Sequence, residues 1–250
     1  MKMTKTNTLF LILFVGILAV PPVLADSSTP GDPTLSNQWK GNLELGFVKT
    51  SGNTDTETLN TKASAKTDRE VWRHKINAEA LKTSDHGTTT AERYAINGQS
   101  DYKLKGKKNF FFVYLAYEDD HFSGYKYQMT EAIGYGRRLL DEPNMKLDLE
   151  VGPGARQRKV EATNETEKEG LVRGAVNYLW NISETSNFTE SLSTEVGKDV
   201  TITKSVTALV AKINSSLASK VTYTIKNTSK VPAGIEKTDT ETGVTLVYGF

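Results

Sequence analysis

The chain has 250 residues, of which 37% are hydrophobic, 24% charged and 9% aromatic; its formal net charge is +1 and it has no cysteine. The absence of cysteine excludes disulfides, thiolate metal sites, cysteine nucleophiles and cysteine-linked lipids, and near-neutrality argues against a dedicated nucleic-acid binder, which carries a basic excess. A mean hydropathy of −0.44 excludes a polytopic helical membrane protein, which needs several apolar runs of about 20 residues, but not a membrane β-barrel, whose strands alternate apolar and polar residues and so hide in an average.

At the N-terminus, Lys2 and Lys5 precede an uninterrupted apolar run from Leu9 to Val20, followed by Pro21, Pro22 and Val23-Leu24-Ala25. A basic start, a short apolar run and a small-residue cleavage site make a secretory signal peptide, expected to be cut after Ala25. The run is too short to span a bilayer as a helix. Residues 1–25 are therefore read as an export signal, 26–38 as a polar, proline-containing flexible lead-in, and 39–250 as the folded domain. Cleavage removes Lys2 and Lys5 and turns the net charge to −1.

From Trp39 onward the sequence alternates with period two. In 39–49, Trp39, Gly41, Leu43, Leu45 and Phe47 share one face, and Lys40, Asn42 and Glu44 the other. Noisier alternation follows in 56–67, 71–83, 92–104, 110–121 and 125–140. In 145–151, Met145, Leu147, Leu149 and Val151 oppose Lys146, Asp148 and Glu150. Further segments fall at 170–182, 187–197, 202–214 and 217–227, and the last places Val244, Leu246, Tyr248 and Phe250 opposite Gly243, Thr245, Val247 and Gly249. Successive strand residues point to opposite faces, so each segment needs one apolar and one polar environment. The pattern predicts 12 strands. The register is ambiguous around 110–140, where Phe110 to Leu115 is apolar on both faces and Glu131 stands among aromatics.

The connections alternate too. Tight gaps (68–70, 105–109, 141–144, 183–186 and 215–216) alternate with longer or more charged ones (84–91, 122–124, 157–169 and 228–236). Short turns at one end and long loops at the other characterise transmembrane β-barrels, and an even strand count puts both chain ends on the turn side. A soluble sandwich also has period two, but three features favour the membrane. The segments are commonly ten residues or longer. Aromatics gather near segment ends, at Trp39, Phe47, Trp72, Tyr94, Tyr102, Tyr178, Trp180, Tyr223 and Tyr248, as interfacial girdles do. The final Tyr248-Gly249-Phe250, with Tyr248 and Phe250 on the apolar face, resembles the C-terminal assembly signal of bacterial outer-membrane barrels, which implies the barrel-assembly machinery as a partner.

The polar face carries Lys40, Glu44, Lys62, Lys66, Arg73, Lys75, Glu79, Arg93, Asp101, Lys103, Lys146, Asp148, Glu150 and Arg173. A soluble core could not hold these charges. They are expected to line the lumen of a barrel, facing water or one another. Interleaved signs suggest a partly filled, ion-paired interior, and the basic excess a mild anion preference in any residual channel.

Trp39-Lys40-Gly41 with Gly46, Ser51-Gly52-Asn53-Thr54 followed by Asp55-Thr56, Asp119-Asp120-His121-Phe122-Ser123-Gly124, Gly134-Tyr135-Gly136, Asp239-Thr240 and Leu246-Val247-Tyr248-Gly249-Phe250 together resemble the YdiY-like family of salt-induced outer-membrane proteins. The resemblance runs from about 39 to 250. It implies an outer-membrane β-barrel of a Gram-negative bacterium, and it supplies no activity, cofactor or catalytic residue.

Motifs for chemistry are sparse. Ser51, Gly52, Asn53 and Thr54 suit a tight loop, since Gly and Asn accept positive φ. Asp85-His86 and Glu118-Asp119-Asp120-His121 place acids and histidines at the loop end, the residue types that activate water in outer-membrane aspartyl-type proteases; Asp85, His86, Asp119, Asp120 and His121 are the only catalytic candidates. His74 is expected to face the bilayer interface or a packed neighbour, and no Gly-x-Ser-x-Gly elbow accompanies it. Gly134-Tyr135-Gly136 lies within a strand and makes no nucleotide fingerprint. The reading is an all-β antiparallel transmembrane barrel of structural or passive-permeability type, linked by the family resemblance to salt or envelope stress. No enzyme activity, metal or cofactor is expected, and the surroundings are outer-membrane lipid and lipopolysaccharide. The alternatives are an outer-membrane enzyme with rim Asp/His residues and a soluble periplasmic β-barrel binding an apolar ligand. The solute, the openness of the lumen and the oligomeric state are left open.

Overall fold

A computed structural model describes residues 38–51, 56–85, 88–121 and 123–250. The signal peptide, the lead-in apart from Gln38, and the loop positions Gly52, Asn53, Thr54 and His86 lie outside the described residues. Twelve strands of 12 to 17 residues follow one another: β1 (Lys40–Ser51), β2 (Thr56–Asp68), β3 (Trp72–Asp85), β4 (Thr88–Lys103), β5 (Asn109–Asp120), β6 (Tyr125–Asp141), β7 (Met145–Val160), β8 (Thr166–Asn181), β9 (Ser186–Gly197), β10 (Thr201–Lys212), β11 (Leu217–Thr228) and β12 (Thr238–Gly249). Each pairs antiparallel with its sequence neighbour, and β1 closes on β12 from Asn42↔Gly249 to Ser51↔Thr240. Phe250 completes the seam by exchanging two backbone hydrogen bonds with Gly41, at 2.8 and 2.9 Å. The ring therefore has no free edge, the condition for a β-structure to cross a bilayer, where unpaired backbone groups find no water.

Several strands run further toward the loop rim than the apolar pattern indicates. The segment 157–169, read from its charges as a long loop, is mostly strand: β7 continues to Val160, β8 begins at Thr166, and only 161–165 separate them. Likewise β3 and β4 extend through most of 84–91. The reason is that charged residues can alternate as well as apolar ones. Arg156 faces Glu169 and Arg158 faces Glu167 in direct cross-strand register, and these opposite-charge pairs support pairing where no apolar face exists.

The outward face is apolar over a broad belt. At mid-strand it presents Leu45, Ile76, Ile96, Val113, Ile133, Val151, Val221 and Val244, all exposed. Aromatics gather toward the turn rim, where the Trp72 ring packs edge-on against Tyr102 at 5.1 Å. His74 stacks between Trp72 and Trp39 at 5.8 and 6.3 Å and shares a hydrogen bond with Ser100 at 2.8 Å, so it is part of this girdle. Toward the loop rim, Tyr117 stacks on Tyr127, which Gln157 bonds at 2.8 Å.

The ambiguous stretch 110–140 resolves through glycine. Phe110 and Phe112 turn inward and are almost completely buried, while Phe111 is exposed on the belt. Their direct partners on β6 are Gly136 and Gly134. A β-carbon on either glycine would collide with the facing ring, so each phenylalanine lies over the hollow its partner leaves. Two guanidinium groups cover the rings from the lumen side. Arg73 sits 4.9 Å from the Phe110 centroid, and Arg173 lies 5.9 Å from Phe112 and 4.1 Å from Tyr114. Glu131 takes the opposite parity and is exposed on the outer face. Truncating Phe110 or Phe112 to alanine should destabilise the barrel by about 3–5 kcal/mol, as for buried phenylalanines generally, and Phe111→Ala by clearly less. The urea midpoint for loss of heat-modifiable gel migration in lipid measures this order.

Candidate functional site: the charged lumen

Strand parity fixes which side chains enter the lumen. Glu44, Arg73, Asp101, Asp148, Glu150 and Arg173 project inward and are buried; Lys62, Lys75, Glu79, Arg93 and Lys146 project inward and are half-buried; Lys40 is inward at the exposed turn rim. These charges do not stand alone. Three clusters fill the interior.

Nearest the turn rim, Arg73 on β3 donates to Asp101 on β4 at 2.6 Å and to Asp148 on β7 at 3.0 Å. Asp148 also receives Arg138 of β6 through two bonds, of 2.7 and 2.9 Å. Gln99 links this set to the next by donating to Asp101 at 2.8 Å and to Glu150 at 2.9 Å, and Glu150 receives Arg173 at 3.2 Å. The chain of contacts runs from β3 to β8, cutting across the lumen instead of following the wall. Buried charges need partners and hydrogen bonds, and here each acid has at least two donors.

At mid-height, Arg93 on β4 bonds Glu79 at 2.5 Å and Glu241 of β12 at 2.9 Å. Lys62 approaches the same two carboxylates at 3.4 and 3.8 Å. Nearer the loop rim, each two residues from the loop end of its strand, Lys226 on β11 reaches Glu118 on β5 at 2.6 Å. In a ring of twelve strands, β5 and β11 are diametrically opposed. This single contact therefore spans the full width of the lumen. Twelve strands make a barrel wider than the eight whose interior side chains just fill it and narrower than the 16–18 of open porins, a width that long charged side chains can bridge from opposite walls.

Toward the loop rim, Arg156 is fully enclosed. It donates to Glu169 at 3.1 Å, to the Glu195 carboxylate at 3.2 Å, and to the Glu195 and Val200 carbonyls at 3.2 and 3.3 Å. Above it, Arg158 bonds Glu167 at 2.7 Å and lies over the Tyr125 ring at 4.8 Å.

The family described as "Protein of unknown function, DUF481" matches residues 43–250. The chain belongs to the DUF481 family. It is also 29% identical over 256 aligned positions to the uncharacterized protein YdiY of Escherichia coli strain K12, covering all of both chains. Among solved structures it is similar to the NanC porin, with a TM-score of 0.56 at 8% identity over 82% of this chain and 98% of that one. It is similar to the translocator domain of the autotransporter NalP from Neisseria meningitidis, with a TM-score of 0.51 at 8% identity over 90% of each chain. At such identities the likeness is one of fold, the closed barrel of outer-membrane proteins.

Several residues of this DUF481 lumen escape sequence reasoning. Arg138 lies in the stretch whose register was ambiguous, and Arg156, Glu169 and Glu195 surround the run read as loop. Glu118, grouped by sequence with the rim acids, turns inward. Glu241 stands between threonines, and parity counted from Val244 and Leu246 would have placed it; Lys226 lies on the polar face opposite Val221, Tyr223 and Ile225, so alternation marks it as inward but not its partner. The acid/histidine cluster is divided by the same parity: Asp119 faces outward and Asp120 inward. His121 contacts Asp119 at 3.3 Å on an exposed rim. Among the described residues no group of three or more histidines and acids is arranged to hold a metal. Ser51 ends β1 opposite Thr240.

Removing Asp148 takes one of two carboxylates from Arg73, which keeps Asp101, and leaves Arg138 only the more exposed Asp141 at 3.5 Å. Asp148→Ala is expected to cost about 3–5 kcal/mol, the range for breaking a buried ion pair from one side. Asp68→Ala, at the half-exposed pair with Lys103, should cost less than about 1 kcal/mol. Denaturant midpoints of the two variants in the same detergent give the comparison.

Proposed function

We propose that this DUF481 chain is a Gram-negative outer-membrane barrel, exported by a cleaved signal peptide, that acts as a narrow passive conduit held closed at rest by ion pairs across its lumen. The observation that carries the reading is the Lys226–Glu118 contact between opposite walls, reinforced by Arg93 between Glu79 and Glu241. The apolar belt, the aromatic girdles and the porin-type fold support the membrane setting, with lipid and lipopolysaccharide around the belt and the C-terminal strand offered to the assembly machinery. Near-neutral clusters argue against a strongly selective pore.

A lumen closed by charge pairs also gives a physical route to a role under salt or envelope stress. Screening shortens the reach of ionic attraction from about 10 Å at 0.1 M salt to about 3 Å at 1 M, less for partly buried pairs than for surface ones, so salt ions that enter the lumen compete with the crossing pairs as ionic strength rises. No arrangement among the described residues favours an enzyme, because the His121–Asp119 contact lacks a third group and an enclosed site.

The purified full chain in planar bilayers tests this. The wild type should show small conductance that rises more steeply with KCl concentration than bulk conductivity does. Glu118→Gln and Lys226→Gln should each raise it several-fold at low salt. A folded, heat-modifiable barrel without conductance in wild type and variants alike would reduce the protein to a structural role.

A further inference from the structure

Strand β10 is inverted relative to the rest of the barrel. Its inward residues are Ile202, Val206, Ala208 and Val210 around Lys204, and its outward residues are Thr201, Thr203, Ser205 and Thr207 before Leu209 and Ala211. Ile202 and Ala208 are buried inside, whereas Leu209 is 47% exposed outside. Pairing with β9 and β11 is continuous over eleven residues on each side, without a bulge. No local slip of register turns the hydroxyls inward, and they are fixed on the surface that other strands give to lipid.

The neighbouring strand adds a charge to this strip. Glu190 on β9 shares the outward face with Phe188 and Leu192, two residues from the Phe188–Tyr178 aromatic contact. It accepts hydrogen bonds from Ser205 at 2.7 Å and Thr207 at 2.5 Å and has no basic partner among the described residues. Thr194 and Thr203 share a further bond at 3.1 Å. Ser205 and Thr207 stand at the fifth and seventh positions of a twelve-residue strand, so headgroups and water at the rims are far from them. Hydrocarbon offers such groups nothing, and a carboxylate on a lipid-facing wall is costly.

We propose that the β9–β10 face is the interface of a homodimer in the membrane. Ser205 and Thr207 give their protons to Glu190 within the chain, but their oxygens and the Glu190 carboxylate keep acceptor capacity. Across a two-fold axis, the donor left over from the Thr194–Thr203 pair, and hydroxyls exchanged from one Glu190 to the other, find partners that lipid does not offer. Polar side chains join spanning segments in this way where no hydrophobic force separates protein from lipid. The inference rests on the membrane-spanning reading and is independent of whether the lumen conducts.

The absence of native cysteine makes the test direct. Single replacements Thr203→Cys, Ser205→Cys and Thr207→Cys are oxidised in native outer membranes. Ile96→Cys on β4, diametrically opposite β10, serves as the control. Cross-linking to twice the monomer mass is expected from β10 and not from β4. In detergent, light scattering of the wild-type chain should give a dimer, and the triple variant T203L/S205L/T207L a monomer that keeps heat-modifiable migration. A monomeric wild type by both measurements overturns the proposal, as does a cross-linked product containing a different protein or a leucine variant that remains dimeric. Recovery of the chain in the periplasmic fraction would instead overturn the membrane reading itself.

Discussion

Closure of the sheet is the constraint on which the rest depends. A β-strand in a bilayer must satisfy every backbone donor and acceptor against another strand, and the β1–β12 seam does this for the last two edges. Once closed, the ring has two surfaces with opposite demands. Side chains of one parity meet lipid and those of the other meet a confined interior. Most charged side chains are thereby turned into a lumen narrow enough for opposite walls to touch, with Glu131 and Glu190 as outward exceptions.

That confinement turns the lumen into a polar core. Arg73, Arg138 and Arg173 share Asp101, Asp148 and Glu150, and Gln99 joins the two halves. The glycines of β6 are the counterpart of this crowding. By removing two β-carbons, Gly134 and Gly136 let Phe112 and Phe110 lie flat on the wall, and the rings in turn support the arginines. The sequence Phe110-Phe111-Phe112 opposite Gly134-Tyr135-Gly136 is thus one packing unit with a single aromatic on each strand, Phe111 and Tyr135, turned out to the belt, where they meet edge-on at 6.0 Å.

The contact between opposite walls differs from this core in one respect that bears on the proposed conduit. Lys226 and Glu118 depend on two flexible side chains meeting across the widest span of the ring, whereas Arg73 and Asp148 belong to a network of several donors. A conduit needs a constriction that can part without loss of the wall. In the proposed conduit, the backbone ladder is the wall and the crossing pairs are the constriction.

Much of this was legible in the chain itself. Period-two alternation in 39–49, 145–151 and the C-terminal segment identified strands and their faces, and the alternation of short and long connections ordered them into an antiparallel ring, because the pleat and the turn geometry are local properties. Segments in which charge replaces apolar residues were misread as loop at 157–169, since hydropathy does not distinguish a solvated loop from a charged strand. Which charges meet was beyond the sequence altogether. Lys226 and Glu118 are 108 residues apart, and only the closure of twelve strands puts them face to face. The inversion of β10 is of the same kind. Its alternation is visible in the sequence, but which face is outward is set by the register of β9 and β11. The sequence by itself determined that the chain forms a barrel of alternating strands; the tertiary structure decided which side of each strand is the lumen and how its charges are paired, because parity is handed from strand to strand around a closed ring.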